Sequence, residues 1–235
     1  MNAAPFEYIG NELELFAAAK NWKRYFTQLI KPHISGYVLE VGAGIGANTA
    51  LLHQKAATGW VLLEPDINFC NRLRHLVEVG KLPAYCTIFN GYTSQIRQTF
   101  DTIIYIDVLE HIENDVKELK TAAALLNPGG KLIVLSPAYN YLMNPFDKAI
   151  GHYRRYTKKE LLAKTEGIVE VQKIFYADSL GLLSSLANKW ILKQPYPTQR
   201  QISFWDTFII PASTITDKII FHSAGRSVIG IWKKR

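Results

Sequence analysis

Short apolar runs rich in β-branched and aromatic residues alternate with helical patterns through the middle of this 235-residue chain. Strands are predicted at residues 37–41, 60–63, 84–89, 101–106, 131–135, 169–175 and 226–232. Helices are predicted at residues 47–55, 67–79, 114–126 and 158–164. Alternating strands and helices form βαβ units, whose parallel strands share one sheet with helices on both faces. The pattern therefore predicts an α/β fold, and the length does not require a second core.

Three glycines, Gly42, Gly44 and Gly46, directly follow the first predicted strand. Glycine lets the backbone turn sharply and approach a ligand, and the next helix presents its unpaired N–H groups. Dinucleotides are bound in this way too, so the glycines alone do not separate them from S-adenosylmethionine. Glu40 favours the latter, because a carboxylate would pair with an ammonium group but repel a pyrophosphate. The glycine spacing also departs from the nicotinamide fingerprint, since the third glycine comes two residues after the second rather than three.

An acidic residue ends the second predicted strand. Glu64 lies 22 residues after Gly42, and a carboxylate at about that interval can hold both hydroxyls of a ribose. Asp66, two residues later, fits better as an acid at the start of the next helix. The sequence therefore predicts Glu64 as a ribose-binding residue.

Four segments closely resemble successive motifs of the class I S-adenosylmethionine-dependent methyltransferases, in the family's order and spacing. They are residues 38–46, 64–66, 107–112 and 126–130. The resemblance covers residues 20–176. It implies a Rossmann-like seven-stranded, mostly parallel sheet in the order 3-2-1-4-5-7-6, with an antiparallel last strand and S-adenosyl-L-methionine as cofactor.

The resemblance also implies individual cofactor contacts: methionine moiety at the glycine loop, ribose at Glu64, adenine after the third strand, and sulfonium after the fourth. The candidates are Glu40, Gly42, Ala43, Gly44, Gly46, Glu64, Pro65, Gly91, Tyr92, Asp107 and Val108. Residues 90–92 depart from the family's pattern, which commonly carries an acid there. Asn21, Trp22 and Tyr25 resemble a stretch that helps to cover the cofactor in some bacterial members, although such spacing is also typical of a core.

Residues 147–156 form the most distinctive segment outside the cofactor motifs, with a histidine, tyrosines and paired arginines. It resembles a segment of bacterial methyltransferases that accompany glycan or lipid-carrier biosynthesis. Tyr153, Arg154 and Arg155 are therefore predicted to bind an anionic or sugar acceptor. The alternative is that the arginines only tie this loop to the preceding helix through salt bridges.

A hydroxyl acceptor needs a base, whereas an amine or a carboxylate acceptor does not. His152 is the first candidate for this base and His111 the second. In ubiquinone-pathway O-methyltransferases, a spacing similar to that of Asp107, Glu110 and His111 is associated with magnesium. We nevertheless expect no metal.

The positive charge is concentrated in the second half of the chain. The first 150 residues carry a net charge of −1, and the remainder carries +8. This asymmetry indicates an anionic partner, either a phosphorylated substrate, a membrane surface or nucleic acid, or simply a solvated basic face. Residues 136–139 look like the box of nucleic-acid amino-methyltransferases, but that box belongs after the fourth strand rather than the fifth. Nucleic acid is therefore disfavoured.

The N-terminal residues lack the basic and apolar pattern of a signal or transit peptide, and no apolar run reaches the ~18 residues that span a bilayer. These observations predict a cytoplasmic protein whose membrane contact, if any, is peripheral. A single domain is expected. Its parts are an N-terminal helical lid (1–36), a cofactor-binding core (37–176), a helical insertion over the acceptor site (177–223) and a closing strand (224–235).

These observations together predict a class I methyltransferase that acts on a small-molecule or a glycan or lipid-linked acceptor, with oxygen as the first choice of methylated atom. Three alternatives stay open. They are an N-methyltransferase of secondary metabolism, a protein that binds S-adenosylmethionine without chemistry, and, remotely, an NAD-dependent dehydrogenase.

Overall fold

Seven strands form one sheet in the computed structural model, which describes residues 16–192 and 196–235. The strands are β1 (Gly36–Val41), β2 (Ala57–Glu64), β3 (Cys86–Asn90), β4 (Phe100–Ile106), β5 (Leu126–Pro137), β6 (Glu170–Ala177) and β7 (Ser227–Lys233). Their order across the sheet is β3-β2-β1-β4-β5-β7-β6. The first five pair in parallel, and β7 runs antiparallel between β5 and β6. The predicted fold class and strand order are confirmed.

The helices surround this sheet. They are α1 (Lys20–Ile30), α2 (Thr49–Leu52), α3 (Ile67–Glu78), α4 (Asp115–Ala124), α5 (Pro145–Ala149), α6 (Lys158–Thr165), α7 (Ser179–Ala187), α8 (Gln199–Phe204) and α9 (Ile210–Ile219). A π-helical turn extends α7 over Asn188–Leu192, and another joins α8 to α9 over Trp205–Ile209. The predicted lid begins in residues 1–15, outside the described residues. No helix in the described ranges is long and apolar enough to cross a membrane.

The central strands are mostly apolar, as expected of a sheet whose two faces are both covered. Successive side chains of a strand point to opposite faces. Accordingly, Leu62 and Ile104 belong to the core cluster beneath α1 and α9, while their neighbours Leu63 and Tyr105 belong to the other. Because β1 pairs in parallel with β2 and with β4, the carboxyl ends of these three strands lie side by side at the same end of the sheet.

Two predicted boundaries are wrong. The helix predicted at 47–55 is the single turn α2, because His53 already has extended backbone angles. Strand β5 is longer than the predicted 131–135 and includes the residues expected to form a turn. Gly129, in the left-handed region at φ +78°, donates its N–H to the carbonyl of Lys234. The pairing of β4 with β5 shifts register here, so the glycines produce an irregular strand instead of a turn.

The helical segment between β6 and β7 is fastened to α1 by two buried carboxylates. Asp206 accepts hydrogen bonds from the backbone N–H groups of Asn21 and Trp22, in the first turn of α1. Asp217 accepts one from the hydroxyl of Tyr25 at 2.7 Å. Three members of the predicted lid thus bind the segment above the sheet, which fixes α1 over the end of β1.

Candidate active site

The glycine loop follows β1 and lies against the residue after β4. Gly42, Gly44 and Gly46 all have positive φ angles, between 53° and 76°. A Cβ atom on Gly42 would lie 2.5 Å from Cγ2 of Val108, so no side chain fits there. The structure therefore brings the predicted cofactor residues Gly42 and Val108 close together, with no side chain between them on the loop.

The Glu64 carboxylate is hydrogen-bonded to the glycine loop. Its two carboxylate oxygens accept hydrogen bonds from the N–H groups of Gly44 and Asp66, at 2.8 and 3.0 Å. Burial raises the pKa of Glu64 above its ordinary value, although both N–H bonds oppose this shift. Each oxygen of a carboxylate can accept a second hydrogen, so this arrangement is compatible with ribose binding.

Two residues predicted to contact the adenine, Gly91 and Tyr92, follow β3 near Glu64. The N–H of Gly91 donates to the Glu64 carbonyl at 3.1 Å, and the Asn90 side chain donates to the carbonyls of Glu64 and Pro65. The Tyr92 side chain is more than half exposed. The departure from the family's pattern at residues 90–92 therefore has a structural use, because Asn90 ties the ends of β2 and β3 together.

Glu40 faces protein groups at the base of the loop. One of its oxygens accepts hydrogen bonds from the Thr49 hydroxyl and the Trp60 indole, at 2.8 and 2.9 Å. Burial raises the pKa of Glu40 to about 7, while these two bonds and the charge of Lys23 oppose the rise. Ala43, the remaining loop candidate, is buried and donates its N–H to the Leu63 carbonyl. Contact of Glu40 with an ammonium group stays a prediction.

Lys23 of α1 is a site residue that the sequence did not indicate. Its ammonium group donates to the Asn48 side chain at 3.2 Å. Burial lowers its pKa, and the nearby charges of Asp107 and then Glu40 oppose the shift. An amphipathic helix gives no signal that one lysine faces inward, so only the packing of α1 over β1 shows it.

Asp107 joins this cofactor region to a large cavity. It follows β4 with φ 52°, a left-handed conformation that is uncommon outside glycine and that clusters at functional sites. Its N–H donates to the Leu135 carbonyl, and its side chain lines the cavity. Desolvation raises the pKa of Asp107, with the charges of His152 and Lys23 opposing it.

The cavity has a volume of about 890 Å³ and lies between the sheet edge and the helices that precede β7. Side chains from five separate parts of the chain line it, including Trp22, His111, His152, Trp205 and Arg226. Such a volume suits a small-molecule ligand. Trp22, which was predicted to help cover the cofactor, lines this cavity, with its ring 5.9 Å from that of Trp205.

His152 lies at the wall of the cavity with an ionised carboxylate behind it. Its Nδ1 is 3.3 Å from Oδ1 of Asp147, a close contact without the geometry of a hydrogen bond. Burial disfavours the charged form of Asp147, but contacts with His152 and Arg155 outweigh burial and lower its pKa to about 2. Asp147 therefore favours a proton on Nδ1 and leaves Nε2 as the basic nitrogen.

Glu110, His111 and His152 form a cluster whose donor atoms all lie within 4.8 Å of one another. Glu110 is fully buried, and its Oε1 has no hydrogen-bond partner among the described residues. Burial raises the pKa of Glu110 and lowers that of His111 to about 4. Two imidazoles and a carboxylate could hold a transition-metal ion. This set differs from the one that the sequence spacing associates with magnesium, because it contains His152 in place of Asp107.

Only Arg155 of the three predicted substrate-binding residues lines the cavity. The Arg154 guanidinium bonds the carbonyls of Ile112 and Glu113 and pairs with Asp115 at 2.7 Å. Tyr153 is exposed and is not among the cavity-lining residues. For Arg154 the structure therefore favours the alternative stated above, a salt bridge to the helix that follows β4. Arg155 is bound to Asp147 at 2.8 Å.

Arg226, immediately before β7, is a second residue that the sequence did not indicate. Its guanidinium lies 5.0 Å from the Trp205 ring centroid and has no hydrogen bond to any described residue. Its backbone is fixed by bonds to Asp178 and Ala138. Burial lowers the pKa of Arg226, and the charge of Asp178 opposes the shift. The cavity lining thus includes a guanidinium that packs on Trp205 and has no carboxylate bonded to it among the described residues.

This arrangement, a glycine loop with an acid at the end of β2 beside a large cavity, agrees with the comparisons with known proteins. The sequence profile of the family described as "Methyltransferase domain" matches residues 14–189. The chain belongs to this family. It is a class I S-adenosylmethionine-dependent methyltransferase, and S-adenosyl-L-methionine is its cofactor.

Two curated relatives are similar to parts of the chain. One is the demethylmenaquinone methyltransferase of Tropheryma whipplei (strain Twist), 28% identical over 128 residues, which are 51% of this chain and 49% of that protein. The other is the ubiquinone biosynthesis O-methyltransferase of Xanthomonas euvesicatoria pv. vesicatoria (strain 85-10), 24% identical over 69% of this chain and 66% of that protein. The chain spans half to two thirds of their lengths.

Solved structures are similar in fold at low sequence identity. The N-methyltransferase NodS of Bradyrhizobium japonicum WM9, in complex with S-adenosylhomocysteine, has a TM-score of 0.60 at 14% identity and covers 97% of each chain. The [4+2]-cyclase SpnF has a TM-score of 0.61 at 14% identity, covering 96% of this chain and 95% of its own. The fold alone does not fix the reaction.

Proposed function

We propose that this enzyme methylates a hydroxyl oxygen of a small, largely apolar acceptor, with His152 as the general base. The observation that carries the proposal is the pair Asp147 and His152 on the cavity wall, close to Asp107. Amine acceptors do not need a base, so a buried, oriented histidine favours oxygen. The printed names of the two curated relatives support an acceptor of the quinone type.

The proposed mechanism needs few protein groups. When bound, S-adenosylmethionine supplies an activated methyl group, so the protein mainly aligns the acceptor and excludes water. Nε2 of His152 takes the hydroxyl proton as the oxygen forms its new bond to the methyl carbon, giving an ether and S-adenosylhomocysteine. Asp147 stabilises the resulting imidazolium, and Arg155 keeps Asp147 ionised.

We further propose that Lys23 binds the carboxylate of the methionine moiety, beside the ammonium partner Glu40. Glu64 remains the candidate for the ribose, Pro65 a further candidate for cofactor contact beside it, and Gly91 and Tyr92 the candidates for the adenine. Arg226 is the candidate for an acidic group of the acceptor, because its guanidinium, unlike that of Arg155, has no carboxylate partner within hydrogen-bonding distance among the described residues. This assignment gives the predicted anionic acceptor a specific contact.

The test is methyl transfer from tritiated S-adenosylmethionine to a panel of catechols, hydroxybenzoates and primary amines. His152→Gln should lower kcat for a phenolic acceptor by about 100- to 10,000-fold, the usual contribution of a positioned base. Its affinity for S-adenosylhomocysteine, measured by calorimetry, should stay within about twofold. The exposed His53→Gln variant is the matched control and should behave like the wild type.

Transfer to amines alone, unaffected by His152→Gln, would instead identify an N-methyltransferase. Tight binding of S-adenosylhomocysteine with no transfer to any member of the panel would favour a non-catalytic binding protein. Either result would overturn the proposed function without affecting the family assignment.

A further inference from the structure

A stripe of exposed apolar side chains runs along the outer face of α8 and α9. We name it the apolar stripe; it consists of Phe204, Phe208, Pro211, Ile215 and Ile219. Spacings of four, three, four and four residues place these side chains on one face of a continuous helix. The rings of Phe204 and Phe208 are 5.3 Å apart across the π-helical turn. The four larger side chains are 57% to 68% exposed.

The opposite face of the same helical segment packs against the core. Ile202, Trp205 and Ile210 are buried there, and the carboxylate of Asp217 is bonded to Tyr25. A helix on the surface of a globular protein normally presents charged or polar residues to water on its second face. Here the outward face is apolar over about 22 Å of helix. A patch of this kind marks an interaction site.

The charges around the stripe all have one sign. In residues 179–192 and 196–223, the exposed charged side chains of the described structure are Lys189, Arg200 and Lys218. The acids of this segment, such as Asp206 and Asp217, are buried and take part in the bonds to α1. The exposed surface is therefore apolar and cationic, a combination that fits an anionic lipid surface.

Two exposed aromatic residues with polar atoms flank the same segment. Trp190 is 68% and Tyr196 55% exposed. Tryptophan and tyrosine are enriched where a protein meets the boundary between lipid headgroups and acyl chains. Tyr196, Arg200 and Phe204 also line the acceptor cavity. One side of the cavity therefore lies beside the apolar stripe.

We propose that the apolar stripe docks on an anionic bilayer and that a lipophilic acceptor enters the cavity from that membrane. This inference rests on the proposed function for its acceptor, but the docking itself does not. A second copy of the chain is a poorer occupant. A two-fold interface would place the same surface on both sides, so that the cationic side chains of one copy, such as Lys218 and Arg200, would meet a surface with no exposed acid in its described residues.

The experiment is sedimentation of the full chain with phosphatidylcholine vesicles, with and without phosphatidylglycerol. The wild type should bind the anionic vesicles and only weakly the neutral ones. The triple variant Phe208→Ser, Ile215→Ser, Ile219→Ser should lose about tenfold or more in partition, since three apolar side chains leave the interface. Lys218→Glu should weaken binding by severalfold, and added salt should reproduce that loss.

Leu162→Ser, an exposed apolar change on α6 at the other face of the sheet, is the matched control and should leave vesicle binding unchanged. None of the substituted residues lines the cavity, so affinity for S-adenosylhomocysteine and transfer to a water-soluble catechol should stay as in the wild type. These readouts separate the two proposals, because vesicle binding without any transfer would retain docking and reject the proposed function.

Two results would overturn the docking proposal. One is equal partition of the wild type and the triple variant on anionic vesicles. The other is a wild type that dimerises in sedimentation equilibrium, ignores vesicles and becomes monomeric in the triple variant, which would assign the stripe to a second copy.

Discussion

The cofactor region and the acceptor cavity are built in opposite ways. The candidate cofactor region lies within residues 36–112, where a glycine loop follows β1 and the ends of adjacent parallel strands meet. The cavity draws side chains from positions as far apart as Trp22 and Arg226. A ligand held by loop backbone leaves a local signature in the sequence. A pocket assembled from distant side chains leaves none, and it can change its specificity without altering the sheet.

The largest expected effect is a loss of cofactor affinity caused by a change in the glycine loop. Gly42→Ala places a Cβ 2.5 Å from Val108 at φ +68°, so the loop must move. We expect S-adenosylhomocysteine to bind about 100-fold more weakly or worse in calorimetry, corresponding to about 3 kcal/mol. Gly80→Ala is the matched control, because Gly80 has φ +72° with no atom within 4 Å of the new Cβ. It should lose about 1 kcal/mol of stability and no cofactor affinity. Equal losses in both variants would contradict the contact with Val108.

The second prediction concerns His111, which belongs to the cofactor segment in sequence and to the cavity in space. Burial lowers its pKa to about 4, below the ordinary 6.5. Between these values the unfolded chain holds the proton and the folded chain does not, so stability falls as pH falls. Relative to His111→Gln, the wild type should lose about 2 kcal/mol of unfolding free energy between pH 7 and about pH 4.5 in urea titrations. Parallel pH profiles for the two proteins would place His111 outside the buried cluster.

The same contrast explains what the sequence could predict. The alternation of strands and helices predicted the sheet, and family motifs supplied its order. The sequence predicted that Glu64 lies near the glycine loop, because Glu64 ends β2, the loop follows β1, and neighbouring parallel strands end side by side. Asp147, by contrast, contacts His152 because the turn after α5 brings the His152 N–H to the Asp147 carbonyl. No spacing rule separates Arg154 from Arg155. Arg226 has no local signal, since its role depends on Trp205 from another helix.

Arg226→Met tests whether the cavity binds an acidic group of the acceptor without affecting the cofactor region. Loss of a charge-assisted hydrogen bond should raise KM for a hydroxybenzoate by about 10- to 50-fold. The corresponding hydroxybenzamide should be affected much less, and the affinity for S-adenosylhomocysteine should not change. Arg97→Met, at an exposed position, provides the control. If the acid and the amide lose equally, Arg226 acts by packing on Trp205 rather than by binding an anion.

The smallest expected effect lies where the two regions join. Asp206 binds the first turn of α1, and that helix carries Lys23 into the cofactor region and Trp22 into the cavity. Asp206→Ala should lower the unfolding free energy by about 1–2 kcal/mol, as expected for loss of a helix-capping carboxylate, and Asp206→Asn by less, because an amide oxygen still accepts. Calorimetry should show that Asp206→Ala weakens S-adenosylhomocysteine and acceptor binding by similar, severalfold factors, since α1 contributes to both sites. A loss confined to the acceptor would mean that α1 stays in place without Asp206, and that the cofactor region is independent of the segment above it.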